Sequence, residues 1–177
     1  AQFLVITGSG IAHTGTITVN PQSGGSGTFM RFDASGSMTG PGVVVLNANA
    51  GNLDTAYISR SGASVYTNAA GHTIRGTGSL HGAMINQGLV NADLAGRVMN
   101  IDAATTNTAL IEATNGSTLQ FIGNTVTNSG GTVLSNASTI NFASMGLNGG
   151  LVSVTNGGIA RVTASSTFTN VTVSGPL

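Results

Sequence analysis

The 177-residue sequence contains no cysteine, no tryptophan and no lysine. Without cysteine, neither a disulfide framework nor a thiolate zinc site can form. Charge is nearly absent as well. Charged residues make up 6% of the chain, against about 25% in an average globular domain. Five arginines (Arg31, Arg60, Arg75, Arg97, Arg161) balance five acids (Asp33, Asp54, Asp93, Asp102, Glu112) to a net charge of zero. A neutral chain with no basic cluster cannot neutralise a phosphate backbone, so nucleic acid is not an expected partner. The same lack argues against binding to a membrane surface. No apolar run reaches the roughly 18 residues of a membrane span, so membrane insertion is not expected. No stretch sustains a 3.6-residue apolar period over 11–18 residues, so no helix is expected. Low charge alone would fit a disordered chain, but 40% of the residues are hydrophobic and mean hydropathy is positive.

What is present is a repeat. One phrase returns four times, as Asn86-Gln-Gly-Leu-Val-Asn-Ala92, Asn107-Thr-Ala-Leu-Ile-Glu-Ala113, Asn128-Ser-Gly-Gly-Thr-Val-Leu134 and Asn148-Gly-Gly-Leu-Val-Ser-Val154. The leading asparagines are 21, 21 and 20 residues apart. A second phrase keeps the same period: Val98–Ile101, Thr118–Phe121, Thr139–Phe142 and Ile159–Val162. Thr125-Val126, Phe168 and Val171–Val173 supply a third short segment. A fixed period of this length marks a solenoid. Propeller blades need about 40–50 residues each.

Strands of three to five residues with Gly and Asn corners, about 21 residues to the unit, predict an all-β chain wound as a right-handed parallel β-helix. Residues 71–177 form its regular coils. Residues 1–70 form irregular N-terminal coils with inserted loops, continuous with the rest as one domain. In that first part Phe3–Thr7, Ile17–Val19, Thr28–Phe32, Ala56–Ile58 and Ser64–Tyr66 read as strands, and Ser35–Gly42 and Asn47–Asp54 as turns. Side chains alternate across a strand, so Val90 with Ala92, Ile111 with Ala113, and Val152 with Val154 should point inward and stack. The phrase-leading Asn86, Asn107, Asn128 and Asn148 should stack as a structural amide ladder. Leu89, Leu110 and Leu151 share one position beside the inward residues. Either a local corner turns them inward, or they form an exposed apolar stripe where another chain or a covering segment docks.

The segments Gly71-His-Thr-Ile-Arg-Gly-Thr-Gly78, Asn86–Ala92 and Asn115-Gly-Ser-Thr-Leu-Gln-Phe121 resemble the repeats of bacterial surface and secreted parallel β-helix proteins, the filamentous-haemagglutinin-like and autotransporter-passenger-like adhesins. The likeness covers most of residues 43–175. It implies a secreted, extracellular or cell-surface location, an elongated shape and a role in attachment, biofilm or surface structure. It brings no catalytic residue with it. The pattern is barely finished at Ser174-Gly-Pro-Leu177 and no capping helix is visible at either end, so the expectation is a fragment of a longer protein or a subunit that stacks into a fibre.

Chemistry has few footholds. A glycosidase needs two carboxylates about 5–10 Å apart. Asp93 and Glu112 fall at different offsets of the repeat, so they do not share a column. Each acid is expected to be solvated or paired with an arginine. His13, His72 and His81 lack the fixed spacing of a metal site and are expected at turns or in solvent. No calcium repeat, dinucleotide loop or nucleophile elbow occurs. No catalytic, metal or cofactor residue is therefore assigned. Three sequons (Asn115-Gly-Ser117, Asn136-Ala-Ser138, Asn170-Val-Thr172) are of a kind that arises by composition. Thr16-Ile-Thr18, Thr125-Val-Thr127 and Thr167-Phe-Thr169 align hydroxyls on a strand face, but without the period an ice plane requires. The leading reading is a non-enzymatic extracellular structural or adhesive solenoid. It would associate with itself, with other surface components or with glycans. A carbohydrate- or ice-binding solenoid, a polysaccharide-cleaving enzyme and a phage tail-fibre segment are the alternatives.

Overall fold

The computed structural model describes residues 2–20, 22 and 24–177. These form twenty-three strands that wind as eight coils. The first coil is β1 (Gln2–Ile6), β2 (Gly10–Ala12) and β3 (Thr16–Val19). The second is β4 (Thr28–Phe32), β5 (Gly36–Thr39) and β6 (Val43–Asn47). β7 (Ala56–Arg60), β8 (Tyr66–Asn68) and the first half of β9 (Thr73–Leu80) make the third. The second half of β9 opens the fourth, followed by β10 (Met84–Asn86) and β11 (Leu89–Ala92). Then come β12 (Val98–Ile101), β13 (Thr105–Asn107) and β14 (Leu110–Ala113), and β15 (Thr118–Ile122), β16 (Thr125–Thr127) and β17 (Thr132–Asn136). The seventh coil is β18 (Thr139–Ala143), β19 (Gly146–Asn148) and β20 (Leu151–Thr155), and the eighth β21 (Ile159–Val162), β22 (Thr167–Thr169) and β23 (Thr172–Ser174).

Each strand pairs in parallel with its counterpart one coil away, giving three walls of eight strands. The fold is the parallel β-helix that the period implies. β9 belongs to two walls: Thr73–Thr77 pairs with β6, and the residues from Gly78 pair with β12. Wall 1 contains β1 and β21, wall 2 contains β2 and β22, and wall 3 contains β3 and β23. In wall 1, Val98, Thr118, Thr139 and Ile159 lie in one row, steps of 20, 21 and 20 residues. The first coils are longer, with steps of 26 and 28 along Gln2, Thr28 and Ala56. The insertions carry the 3-10 turn Leu53–Thr55, whose cap Asn52 accepts from the Asp54 N–H at 3.0 Å.

Alternation sorts the walls into inward and outward rows. In wall 3, Val90, Ile111, Val133 and Val152 stack inward and are fully buried. In wall 1 the inward row runs through Ile58, Leu80, Ile101, Phe121 and Phe142, with the last two rings stacked at 5.7 Å. Burying each such side chain contributes about 1.5–3 kcal/mol, so the rows hold the coils without charge. The row's end members, Leu4 and Val162, are 39% and 49% exposed.

One expected turn is a strand. Within Ser35–Gly42, residues Gly36–Thr39 form β5. Wall 2 is made of segments of three or four residues rich in Gly, Ser, Thr and Asn. Such residues have weak strand propensity, and only pairing with the coils on either side makes them strands.

Candidate functional site

The asparagine row is the longest polar feature of the interior. Asn68, Asn86, Asn107 and Asn128 are all fully buried. Each amide donates to the next carbonyl oxygen: Asn68 Nδ2 to Asn86 Oδ1 (2.7 Å), Asn86 Nδ2 to Asn107 Oδ1 (2.8 Å), and Asn107 Nδ2 to Asn128 Oδ1 (2.7 Å). The strand ends of wall 2 place them: Asn68 closes β8, Asn86 closes β10 and Asn107 closes β13. Asn148 is not a member. It pairs with Thr127 rather than Asn128 and is exposed. The phrase recurs there after 20 residues while the wall 2 register keeps its step of 21, so the asparagine lands one position early and changes face. Asn128 instead reaches the Gly149 and Leu151 carbonyls, both at 3.4 Å. The row extends the other way to Asn68, which precedes the repeated phrase.

Beyond Asn68 the row meets two histidines. His72 Nδ1 lies 2.6 Å from Asn68 Oδ1, and His72 Nε2 lies 2.8 Å from His13 Nε2. His72 is fully buried, contrary to the exposed turn histidine expected from sequence. Burial, with His13 adding to it, lowers its pKa to about 4.

His81 is the centre of a second cluster on the outer side of wall 1. It follows β9, and its N–H donates to the Ile58 carbonyl at 2.8 Å. Its Nδ1 lies 2.7 and 2.8 Å from the two carboxylate oxygens of Asp102, one coil further on. Its Nε2 lies 3.1 Å from Asp54 Oδ1, supplied by the inserted turn. Ser79 Oγ donates to the same Asp54 oxygen at 2.8 Å. The Tyr57 ring meets the imidazole edge-on at 5.0 Å. The hydrogen bond to Asp102 raises the His81 pKa above the usual histidine range; burial opposes this, and the charges of Asp102 and Asp54 reinforce it. An imidazole between two carboxylates is held as the imidazolium, donating from both nitrogens. Both nitrogens face carboxylate oxygens, so the trio ties three coils together. The remaining acids fit simpler roles: Asp33 pairs with Arg31 and Asp93 with Arg75, each at 2.7 Å. Burial, then the charge of Asp93, raises the Glu112 pKa.

Aromatic rings lead up to this trio. Phe3, Phe29 and Tyr57 share one outward row, with Phe3 and Phe29 5.2 Å apart and Phe29 and Tyr57 stacked at 4.0 Å. Phe29 and Tyr57 use their faces against each other, whereas Phe3 is tilted 55° to Phe29, carries the Arg31 guanidinium 5.0 Å over its ring and is 46% exposed.

Two surfaces remain. In wall 3, Leu89, Leu110, Thr132 and Leu151 form one outward row, each half-buried. The corner that would turn the leucines inward does not occur, and a threonine interrupts the stripe. In wall 2, Thr67, Ile85, Thr106, Thr127, Asn148 and Thr169 form one outward row. Thr125, Gly146 and Thr167 belong to a parallel row two residues away. A shallow trough of about 330 Å³ lies among Ala83, Ile85, Ala104, Thr106 and Thr125. The Thr125 and Thr167 motifs are thus two coils apart on one wall, whereas Thr16 and Thr18 lie in β3 on another. Gly146 and Asn148 occupy the coil between the Thr125 and Thr167 motifs, so the threonine pairs do not recur in successive coils, as the sequence spacing indicates.

No family model, no curated protein and no solved structure matches the chain.

Proposed function

We propose that the chain is a non-enzymatic structural or adhesive β-solenoid that works outside the cell or at its surface and associates with itself along its axis. The observation that carries this reading is the accessibility of the inward apolar rows at both faces. Leu4 and Val162 lie in one row that is otherwise buried, and Val173, which continues the buried wall 3 row beyond Val152, is 40% exposed. A further coil or a second copy laid in register on either face would cover them and satisfy the open strand edges. The engagement of both Asp54 and Asp102 by His81, and of Asp93 by Arg75, supports the absence of turnover. The adhesin-like repeats support the extracellular location, and the leucine row of wall 3 offers a lateral contact. Electron microscopy of the purified chain over a range of concentrations tests the reading. Filaments with an axial repeat near 40 Å, eight strand spacings of about 4.8 Å, are expected, and Val162→Asp should abolish them. Single particles at every concentration would refute self-association.

The threonine rows of wall 2 favour a second reading, binding to ice. Thr106 and Thr127 are neighbours about 4.8 Å apart along the axis and Thr125 flanks Thr127 about 6.7 Å across it, with Ile85, Asn148 and Gly146 separating the other threonines and no charged residue in either row. Thermal hysteresis that is lost in Thr127→Lys would support this role, and none at millimolar protein would exclude it.

A further inference from the structure

The histidine pair that ends the asparagine row has an unusual proton count. Asn68 Nδ2 is spent on Asn86, so Asn68 Oδ1 is the acceptor that faces His72 Nδ1. His72 therefore carries its proton on Nδ1. His13 Nδ1 lies 3.1 Å from the Gly15 carbonyl oxygen, which can only accept, so this nitrogen carries a proton too. Both Nε2 atoms then face each other at 2.8 Å. Two lone pairs opposed at that distance repel, and one proton between them turns the repulsion into a charge-assisted hydrogen bond. The ring centroids are 4.9 Å apart, so the nitrogens lead the contact. A metal ion cannot sit on this line, because it would need about 2.0–2.1 Å to each nitrogen.

The backbone makes room for the contact. His13 leaves the first coil between β2 and β3, and His72 stands in the third coil before β9. Gly42 of the second coil lies between them, and a Cβ there would overlap His13 Nδ1 and Cε1. The segments around the pair are residues 12–15, 40–42, 68–72 and 86–89, and their only titratable groups are His13 and His72. Arg75, the nearest charge along the chain, is paired with Asp93.

We propose that His13 and His72 jointly bind one proton in the folded chain, and that this proton latches the first coil to the third across Gly42. The pair holds three protons on four ring nitrogens, one on each Nδ1 and one shared between the Nε2 atoms. A fourth proton would set two N–H groups against each other, in keeping with the lowered pKa of His72. Removing the third proton opposes the lone pairs and frees the turn that carries His13. Stability contributed by the pair is therefore greatest near the ordinary histidine pKa of about 6.5 and declines on both sides.

Nitrogen-15 NMR of the intact, histidine-labelled chain at pH 6 tests the proton count, with the His81 signals assigned through His81→Gln. Three protons on the four nitrogens of His13 and His72, with coupled shifts of the two Nε2 signals, are expected. Two protons, one per ring, would overturn the proposal. Gly42→Ala should separate the Nε2 signals and remove the decline in stability above pH 6.5 that belongs to the pair. Should Gly42→Ala fail to fold, His13→Ala replaces it, with the same loss expected. A variant that folds and keeps the wild-type pH profile would refute the latch.

Discussion

Replacing Asn107 by leucine tests whether the buried amide row holds the coils together. The side chain is fully buried. It donates to Asn128 Oδ1 at 2.7 Å and accepts from Asn86 Nδ2 at 2.8 Å and from the Ala109 N–H at 3.3 Å. Leucine has the same number of side-chain heavy atoms but bulkier methyl groups, so no cavity is left and any overpacking adds to the loss. Five groups lose a contact: Asn86 Nδ2, Asn128 Oδ1, the Ala109 N–H, and the Ala109 and Thr132 carbonyls, the last two each 3.3 Å from Asn107 Nδ2. Asn86 Nδ2 keeps a second acceptor, the Leu110 carbonyl at 3.1 Å. Asn128 Oδ1 and the Ala109 N–H are left in an apolar interior. Each buried unsatisfied group costs about 1–3 kcal/mol, so the loss should be about 3–5 kcal/mol. Asn148→Leu is the control, because Asn148 is exposed and outside the row; its effect should stay within about 0.5 kcal/mol. Urea unfolding followed by circular dichroism reads both, with an unchanged m-value confirming that the same surface is exposed. A loss below about 1 kcal/mol for Asn107→Leu, or equal losses for the two variants, would refute the reasoning.

Other outcomes follow from single residues. Gly131→Ala should cost several kcal/mol in the same assay, since its Cβ would stand 2.5 Å from Asn107 Nδ2 and 2.6 Å from Asn128 Oδ1. Tyr66→Phe should raise stability by about 1 kcal/mol, because the Tyr66 hydroxyl is buried without a hydrogen-bond partner among the described residues. Ala137 occupies φ +49° at a corner where neighbouring coils use Asn115 and Asn156, so Ala137→Gly should stabilise by about 0.5–1 kcal/mol. The histidines act on acid stability with opposite signs. His72 is depressed to about 4, so its neutral form is favoured by folding and stability falls as pH drops from about 6.5 to about 4, by about 3 kcal/mol in all. His81 is raised, so its contribution is complete below about pH 6.5 and is lost as pH rises through its folded value. Melting temperatures of His72→Gln and His81→Gln against pH would show the acid limb lost in the first and the alkaline limb weakened in the second.

The winding was legible because two phrases kept one period. Val98–Ile101 was read as a strand and is β12 within the same bounds. Wall 2 was largely missed. Its strands are only three or four residues long, and Gly36-Ser-Met-Thr39 carries no strand signature of its own. Pairing to neighbouring coils is a tertiary effect, invisible to a local pattern. The asparagine row was read from the phrase starts, which located Asn86, Asn107 and Asn128. Asn148 keeps its place in the phrase but not in the register, because the phrase recurs after 20 residues while wall 2 keeps a step of 21. A side-chain period of two makes any such slip exchange inside for outside.

The same rule explains why one ionisable cluster was within reach of the sequence and the other was not. His81 and Asp102 are 21 residues apart, one regular coil, and both follow the last residue of a wall 1 strand. The period of the regular coils alone therefore pairs them. Asp54 is 27 residues from His81 and arrives through an inserted turn, so no period reveals it. His13 and His72 are 59 residues apart and belong to coils that are not adjacent. Their contact depends on a missing side chain at Gly42, and on two long coils whose insertions erase the count. In a solenoid, a site within regular coils can be read by arithmetic, and a site that bridges irregular coils needs coordinates. The two histidine clusters of this chain stand on either side of that boundary. Both tie the irregular first coils to the regular ones, at the place where the apolar rows alone have the least repetition to hold them.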